Sequence, residues 1–456
     1  MIASESSKAP PPRPLHRRWH FALSKIAAPL RFVRRRPLRA TALLGLVLLL
    51  VIAVAAGGMY LWFLHYLSLA RDATDRGHNA VASQHLRRCM IVWPQNREVL
   101  LLSSRIARRS GSWDEADQIL DSYWARYGDD DALAFERLLL RATRGELESS
   151  APLLIARVGS GGADARLARE ALIVGLLYRF RWQEAEHNLE VWLADSPEDP
   201  LAWLLRGKLQ EQRSATSEAV LSYRKVVELD PEHDEARFRM TTLLLQQRKG
   251  EEVLANLTYL KSRLPDHPEV QVQWVKALAL QGRTEESRAA LDECLQRFPE
   301  FAPALAERGA IAQQEGNDRE AEDYLSRAIR LAPGDSISRL QYAVVLARNG
   351  KVVEAARERD AIKQLEADQD RIKELIGGPL QTRPNDPAVP HEIAQIAFRS
   401  GQVAEGLRWL QAALQVDPNY APTHLLLANF YQNAGNPALS ARHRALARQN
   451  AGAKRP

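Results

Sequence analysis

The residues best able to do chemistry are few and poorly spaced for it. Gly159, Ser160, Gly161 and Gly162 form a stretch of the kind whose backbone N–H groups can cradle phosphate. A phosphate loop also needs a strand before it and a Lys-Ser or Lys-Thr pair after it; lacking both, the stretch reads as a loop between helices. The two cysteines, Cys89 and Cys294, are too few for a four-thiolate metal site and too far apart in the chain for a disulfide, so they read as small buried side chains. The eleven histidines include no H-E-x-x-H pair, and His443, alone on an arginine-rich helix, reads as solvated. Acidic side chains abound as on any charged helical surface, and no G-x-S-x-G nucleophile motif occurs. The chain is read as noncatalytic, without cofactor or metal.

Charge is unevenly placed. Residues 1–39 hold ten basic side chains against the single acid Glu5, whereas the whole chain carries only +6, so the remainder is mildly acidic at −3. The excess sits in a Pro-rich tail and forms no stripe on the folded part, which argues against nucleic acid as a partner.

From Ala40 to Leu64 run 25 uncharged, mostly apolar residues, about 37 Å as a helix and enough to cross a hydrocarbon core of about 30 Å. Tyr60, Trp62 and Tyr66 gather at the far end, where amphipathic rings favour the boundary with water. Arginines from Arg31 to Arg39 flank the near end and resist translocation. The expectation is a single-pass protein of a bacterial inner membrane, N-terminus in the cytoplasm and the body in the periplasm. Ala53-Val54-Ala55 leaves a cleaved signal peptide as an alternative, set against an unusually long charged leader.

The elements downstream follow a period. Prolines stand at 197, 231, 265, 299 and 333, and again at 384 and 418, each pair of neighbours 34 apart except for one interval of 51. Glycines keep the same beat at 77, 111 and 145, at 282, 316 and 350, and at 401 and 435. Twelve positions before a repeat proline stands a small residue: Ala185, Ala219, Ser287, Ala321 or Gly406. Ala219, Tyr223, Val226 and Val227 share one helical face. The unit is thus a helical hairpin, with glycine at the turn and proline closing the second helix. Ser112 with Glu115 and Asn317 with Glu320 have capping-box spacing at the start of that second helix. A period of this length marks a solenoid whose units bury their faces on one another.

On these residues the chain resembles the tetratricopeptide-repeat family. The unit from Pro200 carries Trp203, Gly207, Ala219, Tyr223 and Pro231 at the family's signature places, the unit from Ala302 carries Gly309, Ala321, Ala328 and Pro333, and the last carries Ala428, Tyr431 and Ala447. The resemblance implies an all-α fold, a right-handed α-solenoid of helix-turn-helix units preceded by one transmembrane helix. It implies a concave groove for proteins or peptides, whose facing positions map to Lys208, Lys276, Arg348, Gln395, Asn429, Gln432 and Asn433. The plainer reading of each is an ordinary solvated side chain. Leu204, Phe238 and Val272 stand where the carboxylate-gripping members of the family need polar groups, which argues against that clamp.

The chain divides on this reading into a basic cytoplasmic tail at 1–39 without fixed structure, a transmembrane helix at 40–64 and about eight repeat units over 63–335. A unit with a lengthened second helix follows at 336–386, then two units over 387–450 and an unstructured tail at 451–456. The lengthening falls between Lys351 and Ile376, with Ile362, Leu365, Ile372 and Ile376 near one face. It either packs on the next unit or projects to dock a partner. The function expected is a membrane-anchored scaffold for proteins or peptides; the alternative is an accessory subunit of a polysaccharide-export or secretion machine, binding glycan or a translocating substrate.

Overall fold

The computed structural model describes residues 37–248 and 250–451. Of the tail expected over 1–39, residues 1–36 lie outside the described residues, as do residues 452–456, and residues 37–39 begin the first helix. The described residues form helices joined by short turns, with no strand among them. The helices pair along the chain: α1 (Pro37–Asp75) with α2 (Asn79–Val92), α3 (Arg97–Arg109) with α4 (Trp113–Tyr127), α5 (Asp131–Thr143) with α6 (Leu147–Ser160) and α7 (Ala163–Tyr178) with α8 (Trp182–Asp195). Then come α9 (Pro200–Gln212) with α10 (Thr216–Leu229), α11 (Asp234–Gln246) with α12 (Gly250–Arg263), α13 (Pro268–Leu280) with α14 (Thr284–Arg297) and α15 (Ala302–Gln314) with α16 (Asp318–Leu331). Last are α17 (Ser336–Arg348) with α18 (Val352–Gly377), the short α19 (Pro379–Thr382), α20 (Ala388–Arg399) with α21 (Val403–Val416) and α22 (Ala421–Asn433) with α23 (Pro437–Ala451). The all-α solenoid expected from the 34-residue period is present.

The turn inside each hairpin requires a left-handed residue. Gly77, Gly111, Gly145, Gly282, Gly316, Gly350, Gly401 and Gly435 take φ between +72° and +83°, where only glycine sits without a Cβ penalty. Where the rhythm lacks glycine the turn persists: Phe180, Ser214 and Arg248 hold φ of +56° to +57°. Each costs about 1–2 kcal/mol, which the packing of two helices outweighs.

This turn also explains why the expected capping boxes do not form. Ser112 and Asn317 occupy the N-cap positions of α4 and α16, but neither side chain accepts a capping bond. Their backbone N–H groups already donate to Ala107 O and Ala312 O of the preceding helix, both at 2.9 Å, so the reciprocal bond to a glutamate has no donor. Side-chain caps appear on first helices, where the entry is extended: Asn96, Asp130, Asp199 and Asp335 accept from backbone N–H groups of the second or third residue of α3, α5, α9 and α17, and Asn436 caps the second helix α23 through Leu439 N.

The column of small residues is longer than the sequence suggested. Ala82, Ala116, Ser150, Ala185, Ala219, Ser287, Ala321, Ala355 and Ser440 are fully buried, joined by Val253 and Gly406. They let two backbones meet: Ser287 Oγ donates to Val275 O at 3.0 Å and Ser440 Oγ to Ala428 O at 2.8 Å, each across its hairpin. On the facing helix, a Cβ on Gly207 would lie 2.5 Å from the Tyr223 ring, and one on Gly309 would lie 2.6 Å from Leu325. Tyr223 and Leu325 are themselves fully buried in the same repeat position.

α1 does two jobs along one uninterrupted rod of 39 residues, about 58 Å long. Leu46 to Leu61 are exposed on all sides, with Leu46, Leu49, Val54 and Leu61 each at least 66% exposed. From Phe63 onward one face is buried: Phe63, Leu67 and Ala70 pack on Ala82, Leu86 and Cys89 of α2. Gly45–Asp75 is long and apolar enough to cross a membrane. At the other end, α18 runs 26 residues where most second helices run 14 or 15. Its extension packs on the following unit: Asp368 is held by Arg399 and by Gln364, and Leu375 joins Val389 and Ile393 in one cluster. Cys89 and Cys294 are buried and form no disulfide.

These contacts predict opposite effects from two small changes. Ser214→Gly relieves a left-handed backbone and should raise stability by about 0.5–1 kcal/mol. Gly207→Ala drives a methyl into the Tyr223 ring and should lower it by about 1–3 kcal/mol, both read by denaturant unfolding.

Candidate functional site

The solenoid curls until distant units touch, and that contact gathers charged groups out of water. At one end the turn after α1 meets units far along the chain. His78 Nε2 lies 2.6 Å from Asp230 Oδ2, with the two side chains about 90% buried, and the His78 ring stands edge-on to His233 at 5.6 Å. Arg166 donates to Asp75 O at 2.7 Å, and Arg109 donates to Thr74 O.

At the other end the unit of α20 and α21 returns to the middle of the array. The Phe180 ring stacks on Trp409 at 4.7 Å with 12° between planes. Arg179 donates to Gln415 Oε1 at 2.8 Å, Gln415 Nε2 to Arg144 O at 2.8 Å, and Gln381 Nε2 to Phe180 O at 3.0 Å. Arg408 lies over the rings of Tyr178, Phe180 and Trp409 at 5.3, 5.5 and 5.7 Å. Phe180 can present its ring to Trp409 while holding the strained turn of its own hairpin, because the stack offsets the cost.

Between these closures lies a cavity of about 220 Å³, lined by the first helices α3, α5, α7, α9 and α11 together with Gly77, Asn79 and Arg408. Its floor is ionic. Glu170, 2% exposed, accepts from Arg109 Nε at 2.7 Å and Nη2 at 2.6 Å, and Arg108 Nη1 stands 3.7 Å away. Burial by itself would raise the Glu170 carboxyl, but Arg109 and Arg108 outweigh it and hold the group down at about 2. Burial likewise opposes ionisation of Glu235, and Lys208 at 2.8 Å with Arg239 at 3.0 Å brings it to about 2. Burial pushes the Tyr178 hydroxyl up to about 12, and that hydroxyl has no partner in the protein. Arg108 Nε and Nη2 have none either.

Of the groove residues expected from the sequence, Lys208 lines this cavity; the other six do not. Lys276 pairs with Glu307 at 3.1 Å and Arg348 with Asp318 at 3.4 Å. Gln395, Asn429, Gln432 and Asn433 are exposed, and Ser440 Oγ reaches Gln432 Oε1 at 3.3 Å. His443 is not solitary: its Nδ1 lies 3.0 Å from that of His424, and its ring stacks on Tyr431. Of the glycine stretch read as a loop, Gly159 and Ser160 end α6, and Gly161 and Gly162 make the turn at φ of +70° and +82°.

Sequence reasoning missed Arg108, Arg109, Glu170 and Tyr178. One signal was available. Glu136 and Glu170 stand 34 apart in the repeat column that holds Leu204, Phe238 and Val272 in later units, and both are buried. An acid in an apolar column must find a buried cation.

A tetratricopeptide-repeat family model matches residues 171–234, 272–336 and 312–364. The chain carries tetratricopeptide repeats. A TPR repeat-containing protein of Pseudomonas aeruginosa is 27% identical over 219 residues, 47% of this chain and 34% of that protein, so the chain spans about a third of its length. Among solved structures, the human IFIT1 dimer with PPP-AAAA is 15% identical with a TM-score of 0.39, covering 78% of this chain and 91% of that one. A tetratricopeptide repeat protein from Parabacteroides merdae is 17% identical with a TM-score of 0.31, covering 62% and 99%. Tetratricopeptide repeats serve in general as scaffolds that bind proteins or peptides.

Two measurements probe this site. Glu170 and Glu235 ionise at lower pH in the fold than the 4.5 of a free glutamate. The stability they bring is therefore complete above about pH 4.5 and fades as pH falls toward 2; Glu170→Gln should flatten that slope in acid unfolding. Trp409→Ala removes the stack on Phe180 and should cost about 3–5 kcal/mol of the closure, seen as a larger radius of gyration in solution scattering and faster amide exchange around residues 178–182.

Proposed function

We propose that the protein is a noncatalytic scaffold tethered to a bacterial inner membrane through α1, its tail in the cytoplasm and its repeats in the periplasm, where they hold partner proteins or peptides. The observation that carries this reading is the change in character along α1. Over residues 46–61 the helix is apolar on every side and covered by none of the described residues, and from Phe63 it becomes the first helix of the array. A helix apolar all round needs an apolar solvent. The arginines before it support a cytoplasmic N-terminus. Tethering would raise the concentration of bound partners at the bilayer.

The curl of the array supports one location for a partner over another. The inner face of α3 to α11 is closed over by the chain's own Gly77 turn and by Arg408, whereas Lys276 on α13 and Arg348 on α17 sit beyond those closures on half-exposed first-helix surface. We place the partner there.

The full chain should float with lipid vesicles, and deletion of residues 40–62 should leave it in the soluble fraction. Protease added to intact spheroplasts should digest the repeats; protection of the array would overturn the orientation. Crosslinking should recover a protein that the double variant Lys276→Ala, Arg348→Ala loses by about tenfold, and an unchanged set of bound proteins would remove that face from the reading.

A further inference from the structure

One group of exposed apolar side chains lies where α1 ends its all-apolar stretch. About 20 residues counted back from Leu61, enough for a hydrocarbon core of about 30 Å, reach Ala42, so the outer edge of that core falls beside Trp62. α2 runs back along α1 and ends at the same level: the Trp93 ring lies 5.6 Å from that of Phe63, and Cys89 Sγ faces Phe63 O at 3.9 Å. The tip of the next hairpin is tied alongside. Tyr127 donates its hydroxyl to Gln95 O at 2.6 Å, and Arg97 meets Asp130 at 2.9 Å.

These two tips present apolar and aromatic groups to their surroundings. Ile91 is 79% exposed, more than Val54 or Leu61 in the all-apolar stretch of α1, at 68% each. Trp93, Trp124 and Tyr127 are exposed as well. The repeat supplies its own control. Three positions before the repeat proline, where Ile91 precedes Pro94, units farther along the array carry Glu228, Ser262, Gln296, Arg330 and Gln415. The hairpin therefore does not require an apolar residue there. Trp and Tyr favour the boundary between hydrocarbon and water, and the exposed Arg87, Arg88 and Arg126 can reach lipid phosphates from the same tips. Asp129 and Asp131, exposed at the second tip, limit the depth: they stay in water and hold the tip at headgroup level.

We propose that Ile91, Trp93, Trp124 and Tyr127 make a second, shallow contact with the phospholipid surface from which α1 emerges, seated among the headgroups. The proposal rests on the reading of α1 as a membrane tether. A lone rod is free to lean in any direction about its exit from the bilayer. A second contact on one side of it fixes the lean, so the array leaves the surface along one heading.

The test uses the full chain in nanodiscs of phosphatidylcholine and phosphatidylglycerol, with a nitroxide attached at Ile91→Cys, Gln296→Cys or Val54→Cys in turn. The parent chain, whose Cys89 and Cys294 are buried, sets the background. Collision of the label with oxygen, which concentrates in lipid, is compared with collision with a water-soluble nickel chelate. The oxygen-to-nickel ratio at 91 should exceed that at 296 by at least about threefold, and 54 should stand higher still. A ratio at 91 equal to that at 296, with 54 in lipid, assigns the patch to water or to a protein and overturns the contact while the tether stands; a water-like ratio at 54 overturns both. Should the labelled variants fail to fold, quenching of tryptophan fluorescence by brominated lipid decides. It should fall about twofold in the double variant Trp93→Phe, Trp124→Phe, where Trp62 remains beside the bilayer, and undiminished quenching overturns the proposal.

Discussion

Each hairpin depends on two helix backbones coming closer than ordinary side chains allow. The column from Ala82 to Ser440 supplies that approach from the second helix, and Gly207 or Gly309 supplies it from the first. Tyr223 and Leu325 then fill the space beside the missing Cβ. Once the backbones are this near, the serines in the column donate across the gap to main-chain carbonyls, and the apolar faces outside the contact are left to meet the next hairpin. The seam from Phe135 to Ala277 is the sum of such steps. No single unit could bury it alone, which is why the repeats exist only as an array.

What repeats was legible, because residue type alone decides it. A left-handed turn asks for glycine and a close approach asks for Ala, Ser or Gly, and both demands return every 34 residues. The expected capping boxes at Ser112 and Asn317 had the right letters in the wrong backbone: the turn that brings the helices together also consumes the N–H that the box needs. The site was hidden for the opposite reason. His78 with Asp230, and Phe180 with Trp409, are joined by curvature accumulated over several hairpins, and no period in the sequence reports curvature. Phe180 left a trace all the same, as a bulky residue where the beat calls for glycine.

The closures change what kind of object the array is. An open solenoid has contacts only between neighbours, and its stability is close to a sum of local terms. Here Arg179, Gln381 and Gln415 tie units more than 200 residues apart, and His78 ties units 152 residues apart. Loss of a central hairpin therefore releases contacts at both ends, and the acids Glu136 and Glu170 can sit in an apolar column because Arg105 and Arg109 reach them from other helices.

α1 has one further property. It passes from its apolar half into the first hairpin without proline, bulge or turn, so whatever grips the first half also sets the azimuth of the second. An α-helix advances about 100° per residue, which makes the phase of this shaft a compass for the whole array. One residue added near Trp62 would swing every downstream surface about a quarter-turn around the rod, leaving each hairpin intact but facing a different way.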